Sequence, residues 1–133
     1  MVEMKLKWKP EYCIGIERID RQHEEIFNRL LALENSIAKQ DVWHIQRFFI
    51  AEVADYLKFH FSVEEALLEI LGHSGLAEHS SGHAQLSASI AELERSIRES
   101  SSTEHLVAFF ENWFVRHVLE DDQVFSVYAK RIR

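Results

Sequence analysis

The stretch His79-Ser80-Ser81-Gly82-His83 decides how the rest of this chain is interpreted. Its two imidazoles stand four residues apart, which on a helix places their Cβ atoms about 5–6 Å from each other on one face. They interrupt an apolar stripe at steps of three and four, the pattern of a helix that packs into a core. A buried polar group without a partner costs on the order of 1–3 kcal/mol, so these histidines are expected to bind something, most simply a metal ion. The whole stripe is Leu76, His79, His83, Leu86, Ile90, Leu93 and Ile97.

Three more helices are predicted by the same periodicity. The first begins at Asp20, an N-cap that places negative charge at the positive end of the helix, and runs to about residue 39. The second begins at another N-cap, Asp41, and runs to about Leu71, while the third covers about 76–99 and the fourth follows a serine loop. Their stripes are His23, Ile26, Leu30, Leu33 and Ile37 in the first, Ile45, Phe49, Val53, Tyr56, His60, Glu64, Leu67 and Leu71 in the second, and Leu106, Phe110, Trp113 and His117 in the fourth.

Four amphipathic helices of about 20–30 residues with short connections predict an all-α fold, an antiparallel up-down-up-down four-helix bundle. Residues 1–133 are expected to form one domain. The residues before Asp20 have no helical period but include Trp8, Tyr12 and Ile14, so they are expected to form an N-terminal arm across the helices. Cys13 is expected to be a small buried hydrophobe within this arm.

Composition excludes several classes of partner. The formal net charge is −7 and the basic residues form no long cluster, so neither nucleic acid nor an anionic membrane is expected to bind. No apolar run approaches the roughly 18 residues of a membrane span, and no signal peptide is recognised at the start of the chain. A single cysteine leaves no internal disulfide, and a cytoplasmic location is therefore expected.

The unusual polar residues of the four stripes converge on one end of such a bundle. They are His23 early in the first helix, His60 and Glu64 late in the second, His79 and His83 early in the third, and His117 late in the fourth. Five imidazoles and a carboxylate are too many ligands for one ion, so a dinuclear site bridged by carboxylates is predicted. Imidazole with carboxylate suits iron among the transition metals. The other histidines, His44, His73 and His105, are expected at the surface.

One class of di-iron bundle is excluded by spacing. Ferritin-like proteins place a Glu-x-x-His pair on each of two helices, and no glutamate of this chain is followed by histidine at that distance.

The chain instead resembles the hemerythrin family over nearly its whole length, and in particular the single-domain bacteriohemerythrins. Each matching segment is short, but all occur in order with the family's spacing. They are Trp8, Gly15-Ile16, Asp20-Arg21-Gln22-His23, His60-Phe61-Ser62-Val63-Glu64-Glu65, His79-x-x-x-His83, and Trp113-Phe114-Val115-Arg116-His117 with Asp122.

This resemblance implies a protein that is not an enzyme and binds dioxygen reversibly at two non-haem iron ions joined by an oxo or hydroxo bridge. Storage, delivery or scavenging of oxygen would be its role, with no protein partner indicated. An enzyme acting on peroxide or nitric oxide, or a sensor of oxygen, redox state or nitric oxide, is the alternative. The implied ligands are His79, His83 and His117 on one iron, His23 and His60 on the other, and Glu64 and Asp122 as bridges, with Ile26, Phe61, Trp113 and Val118 lining the oxygen pocket.

The resemblance and ideal helix geometry disagree about the second bridging carboxylate. On a regular helix Asp121 shares a face with His117, whereas Asp122 points about 140° away. The five-residue spacing of the family selects Asp122. We therefore expect a π-bulge or a bend in the fourth helix, an irregularity that is common at functional sites.

Overall fold

The chain forms an arm followed by four helices in a computed structural model. The helices are α1 (Glu17–Ala38), α2 (Trp43–Leu71), α3 (Leu76–Ser100) and α4 (Thr103–Phe109), and α4 continues directly into a π-helical segment at Phe110–Val115. The structure describes residues 5–72, 76–100 and 103–118, and of residues 71, 76–81 and 83 the backbone alone. Across these ranges there is no β-strand, and none of the helices is long and apolar enough to cross a membrane.

The helices pack as the predicted four-helix bundle. Each helix contacts the next along the chain, and α1 also contacts α4, which closes the arrangement. Neighbours run in opposite directions. The ring of His23 lies 4.9 Å from that of His60, while Arg29, further along α1, lies 4.2 Å above the ring of Tyr56, which comes earlier in α2. The short connections between helices produce this antiparallel order, and the predicted fold class is confirmed.

The first predicted N-cap was wrong. Helix α1 begins at Glu17, so Asp20 lies within its first turn. The carboxylate of Asp20 instead accepts hydrogen bonds from the backbone N–H groups of Ile14 at 2.6 Å and Gly15 at 3.2 Å. Aspartate competes for backbone donors on either side of a helix start, and here it fixes the loop that leads into the helix.

The predicted start and buried face of α2 also need correction. The helix begins at Trp43, and Asp41 precedes it with its carboxylate accepting from the Ser36 hydroxyl at 2.9 Å. The carbonyl of Asp41 accepts from the side-chain amide of Gln46 at 2.8 Å. This bond draws Gln46 into the core and leaves Ile45 44% exposed. The buried face of α2 is Gln46, Ile50, Val53, Leu57, His60, Phe61, Glu64 and Leu68, so it shares only part of the predicted stripe.

The N-terminal arm lies across the helices, as predicted. Leu6, Tyr12 and Ile14 are each only 3% exposed. The buried carboxylate of Glu34 in α1 accepts hydrogen bonds from the backbone N–H groups of Lys5 at 3.0 Å and Leu6 at 3.3 Å. These bonds to a charged group anchor the start of the arm to the bundle.

The prediction of a buried Cys13 was wrong, because this residue is exposed. Its neighbours Tyr12 and Ile14 both point into the core, so the extended backbone between them turns the thiol outward. Partial loss of hydration raises the pKa of the Cys13 thiol, and the carboxylates of Asp20 and Glu24 raise it further. The thiol is therefore mainly protonated near neutral pH and is a weak nucleophile.

The π-helical segment brings aromatic rings into register. Its hydrogen bonds run to the fifth residue, so its turns are wider than those of an α-helix. The rings of Phe110 and Phe114 are stacked at 5.1 Å, and those of Trp113 and His117 at 5.0 Å. Phe110, Phe114 and His117 are buried, whereas Trp113 is half-buried. The irregularity expected in the fourth helix therefore begins before His117, and residues 117 and 118 are also π-helical.

Candidate metal centre

Four side chains that can ligate metal meet inside the bundle. They come from three helices, with His23 on α1, His60 and Glu64 on α2, and His117 just beyond the π-helical segment. One ligand atom from each lies within 4.8 Å of the others. All four are buried, with exposed fractions of 0% for the first three and 3% for His117. The structure therefore brings together four of the seven residues selected from the sequence.

The carboxylate of Glu64 lies between two imidazoles on different helices. Its Oε1 atom is 2.9 Å from Nε2 of His60 and 3.3 Å from Nε2 of His117. Those two nitrogens are themselves 3.4 Å apart. A single carboxylate oxygen thus faces both rings.

Burial controls the charge of His60. The loss of hydration lowers the pKa of this imidazole, and the nearby rings of His23 and His117 lower it further, against the opposing effect of Glu64. The net direction favours neutral imidazole. Neutral imidazole is the form that binds metal, because the ligating nitrogen must carry a free lone pair.

The donor set fits a transition-metal ion. Three imidazoles and one carboxylate offer the mixed nitrogen and oxygen ligands that suit iron, and also zinc or manganese. Their complete burial excludes most water from the ligand atoms. Taking this many polar side chains out of water is unfavourable unless they bind one another or an ion.

Comparison with known proteins identifies the family. Residues 14–128 match the sequence model described as "Hemerythrin HHE cation binding domain". The chain belongs to the hemerythrin family. The matched segment includes every residue from His23 to Asp122 and therefore all seven candidate ligands.

Several curated members of the hemerythrin family are similar to most of the chain. The protein named Bacteriohemerythrin from Stenotrophomonas maltophilia is 30% identical over 129 residues, which cover 94% of this chain and 82% of that protein. Its namesake from Clostridium acetobutylicum is 26% identical, with 87% of this chain and 95% of that protein covered. The one from Methylococcus capsulatus is 25% identical, with 87% and 89% covered.

The three other ligands expected from the hemerythrin resemblance have side chains outside the described residues. His79 and His83 belong to α3, whose backbone is helical there, but their side chains are outside the described residues. Asp122 is also outside them, as are Asp121 and His73. The surface positions predicted for His44 and His105 are confirmed.

Two of the four apolar side chains selected from the hemerythrin resemblance contact the cluster. Phe61 is 8% exposed, and its ring centroid lies 5.8 Å from that of His60 and 5.9 Å from that of His117. Trp113 stacks on His117 and meets Phe61 edge-on at 5.8 Å. Ile26 and Val118, also selected, are buried at 1% and 0% exposure.

The sequence analysis did not predict that the ring of Phe114 contacts the cluster. Phe114 is fully buried, and its ring lies 6.0 Å from that of His23. Its four-residue spacing from Phe110 was an available signal.

A buried glutamine was also missed. Gln22 is 6% exposed, and its Oε1 atom lies 2.8 Å from Nδ1 of His60. The spacing of Ile19, Gln22 and Ile26 by three and four was the signal in the sequence, because it places the glutamine on the core-facing side of α1.

Proposed function

We propose that this protein binds dioxygen reversibly at a non-haem di-iron centre and serves to store, deliver or scavenge oxygen. The observation that carries the proposal is the buried cluster of three imidazoles and one carboxylate, whose ligand atoms lie within 4.8 Å of one another. Membership of the hemerythrin family and similarity to proteins named Bacteriohemerythrin favour iron and dioxygen over other uses of such a cluster.

Two ions are proposed because the described cluster is only part of the candidate ligand set. Glu64 supports this arrangement, since one of its oxygens lies near both His60 and His117, which are assigned to different ions. A pair of ferrous ions would supply the binding position for dioxygen and the electrons that its reversible binding requires. The full set is His23 and His60 for one ion, His79, His83 and His117 for the other, and Glu64 and Asp122 as shared carboxylates.

The protein's own contribution is to keep the site weakly anionic and dry. Five neutral imidazoles and two carboxylates carry less negative charge than a carboxylate-rich site, so the oxidised state is less stabilised and release of oxygen is favoured. Phe61 and Trp113 cover the rings of His60 and His117 with apolar surface. Exclusion of water and protons by such surface suppresses irreversible oxidation.

Anaerobic reconstitution with ferrous iron, followed by exposure to air, tests the proposed function. The expected result is a visible absorption spectrum that appears with oxygen and disappears when oxygen is removed. Continuous consumption of peroxide or nitric oxide, without a stable oxygenated spectrum, would identify a di-iron enzyme instead.

Iron content provides an independent prediction. Protein produced in iron-replete medium is expected to contain about two iron atoms per chain, because the candidate ligands exceed what one ion can bind. Metal analysis alongside protein quantification measures this ratio. A value near one, or zinc in place of iron without any iron-dependent oxygen binding, contradicts the di-iron proposal.

Trp113→Ala is expected to accelerate autoxidation of the oxygenated protein. Trp113 stacks on His117 at 5.0 Å, and its removal opens the apolar cover to water and protons. The decay of the oxygenated spectrum in air measures the rate.

Trp43→Ala is the matched control for this variant. Trp43 is also half-buried, but it begins α2 and lies about 25 Å along that helix from His60. Its loss is expected to affect stability without changing the decay. Equal autoxidation rates in Trp113→Ala and the unmodified protein, both fully loaded with iron, would show that Trp113 does not protect the site.

A further inference from the structure

We propose that Gln22 is a positioning residue that determines which nitrogen of His60 is available to a metal ion. Oε1 of Gln22 lies 2.8 Å from Nδ1 of His60, with both side chains buried. A carbonyl oxygen can only accept a hydrogen bond, so this contact is satisfied when Nδ1 carries the ring proton. The inference rests on the proposed metal site, because it assigns Nε2 of His60 as the ligating atom.

The hydrogen bond leaves the other nitrogen of the ring directed at the cluster. A neutral imidazole has a single N–H group, so a proton on Nδ1 leaves a lone pair on Nε2. Nε2 is the atom that lies 2.9 Å from Glu64 Oε1 and 3.4 Å from His117 Nε2. Gln22 therefore directs the lone pair of His60 towards the other candidate ligands.

Glu64 competes with Gln22 for the proton of this ring. If Gln22 is removed, the Glu64 carboxylate at 2.9 Å remains as an acceptor next to Nε2. The proton would then move to Nε2, where it blocks the lone pair needed for a metal ion. A hydrogen-bond partner behind a ligating histidine commonly sets its tautomer and ring orientation in this way.

The position of Gln22 on α1 couples two candidate ligands. It is followed directly by His23, a candidate ligand in the cluster. The same turn of α1 therefore supplies His23 to the cluster and the Gln22 oxygen to the Nδ1 side of the His60 ring. Both helices pack against each other along their length. The ring of His60 is therefore held in orientation by a neighbouring helix, in addition to its own.

Three variants separate this role from simple packing. Gln22→Met keeps a similar length without the carbonyl acceptor, whereas Gln22→Glu keeps an acceptor oxygen at the same position. Gln46→Met is the matched control, because Gln46 is also buried, at 2% exposure, but bonds to the carbonyl of Asp41 at the start of α2. It removes a buried amide that lies away from the cluster.

The first measurement is the tautomer of His60 in the metal-free protein, read from nitrogen-15 NMR of its ring. The unmodified protein, Gln22→Glu and Gln46→Met are expected to be protonated at Nδ1, and Gln22→Met at Nε2. The second measurement is the affinity for zinc, in competition with a chelator. Gln22→Met is expected to bind zinc about 10–100-fold more weakly, the usual effect of losing such a partner, with Gln22→Glu restoring much of the loss.

The outcomes distinguish this inference from the proposed function. An Nδ1 proton that persists in Gln22→Met, or a wild-type ring protonated only at Nε2, overturns the inference. So does a loss of zinc affinity in Gln46→Met that equals the loss in Gln22→Met. If the unmodified protein binds neither zinc nor iron, the proposed function fails, and the tautomer of the metal-free protein still decides whether Gln22 orients His60.

Discussion

Glu64→Gln is expected to remove most of the bound iron. The Oε1 atom of Glu64 faces the Nε2 atoms of His60 and His117, and the whole side chain is buried. A neutral amide in its place deprives the ions of an anion that both would share. Removing one partner of a buried charge pair costs about 3–5 kcal/mol, so iron affinity should fall by at least about a hundredfold. Iron analysis after anaerobic reconstitution and a chelator challenge measures the loss.

Glu65→Gln provides the matched control. This glutamate is the next residue of α2, but it lines a surface groove with Lys58 and Ser62. It is half-buried, and it is not a member of the cluster. The control is expected to retain its iron and its oxygenated spectrum. If Glu64→Gln retains both as well, the carboxylate has no part in binding the ions.

The helical stripes were predictable where polar residues clearly separate the core face from the solvent face. The α1 stripe, from His23 to Ile37, is buried throughout, because charged residues fill the opposite side. In α2 the apolar residues Phe48, Phe49 and Ile50 are consecutive, so periodicity alone allows more than one core face. The actual face includes Gln46, whose side-chain amide donates to the carbonyl of Asp41, a contact that the sequence pattern does not reveal.

The predicted helix starts failed for a related physical reason. An aspartate near a helix start can accept from the first turn of the helix or from the loop that precedes it. Asp20 bonds back to the amides of Ile14 and Gly15, and Asp41 to the hydroxyl of Ser36. Both arrangements satisfy the carboxylate, and only the path of the surrounding chain decides between them.

The described part of the site was predictable because position along the chain and helical phase agreed. His23, His60, Glu64 and His117 satisfy both conditions, and the structure brings them together. The helical pattern did not distinguish Trp113 from Phe114 as the more deeply buried ring, since both continue the spacing from Phe110. In the π-helical segment Phe114 is the more deeply buried of the two rings, since it is fully buried and Trp113 is half-buried.

The same winding bears on the choice between Asp121 and Asp122, which both lie outside the described residues. A regular α-helix selects Asp121, because residues four apart share a face. A five-residue step from His117 instead requires hydrogen bonds that run to the fifth residue. The chain adopts such winding at Phe110–Val115 and again at residues 117 and 118. If it continues beyond residue 118, Asp122 joins the face that carries His117.

Asp122→Ala is therefore expected to release iron or abolish the optical bands of a bridged pair, because both ions would lose a shared carboxylate. Asp121→Ala is expected to be mild, since a charge near a helix end contributes only about 0.3–1 kcal/mol. Both variants are prepared in parallel and compared by iron content and by the spectrum in air. Greater damage from Asp121→Ala would place the carboxylate on the α-helical face, which would mean that the π-helical winding does not extend from residue 118 to the aspartates. Equal and slight effects would remove both aspartates from the ligand set and leave Glu64 as the only carboxylate assigned to the ions.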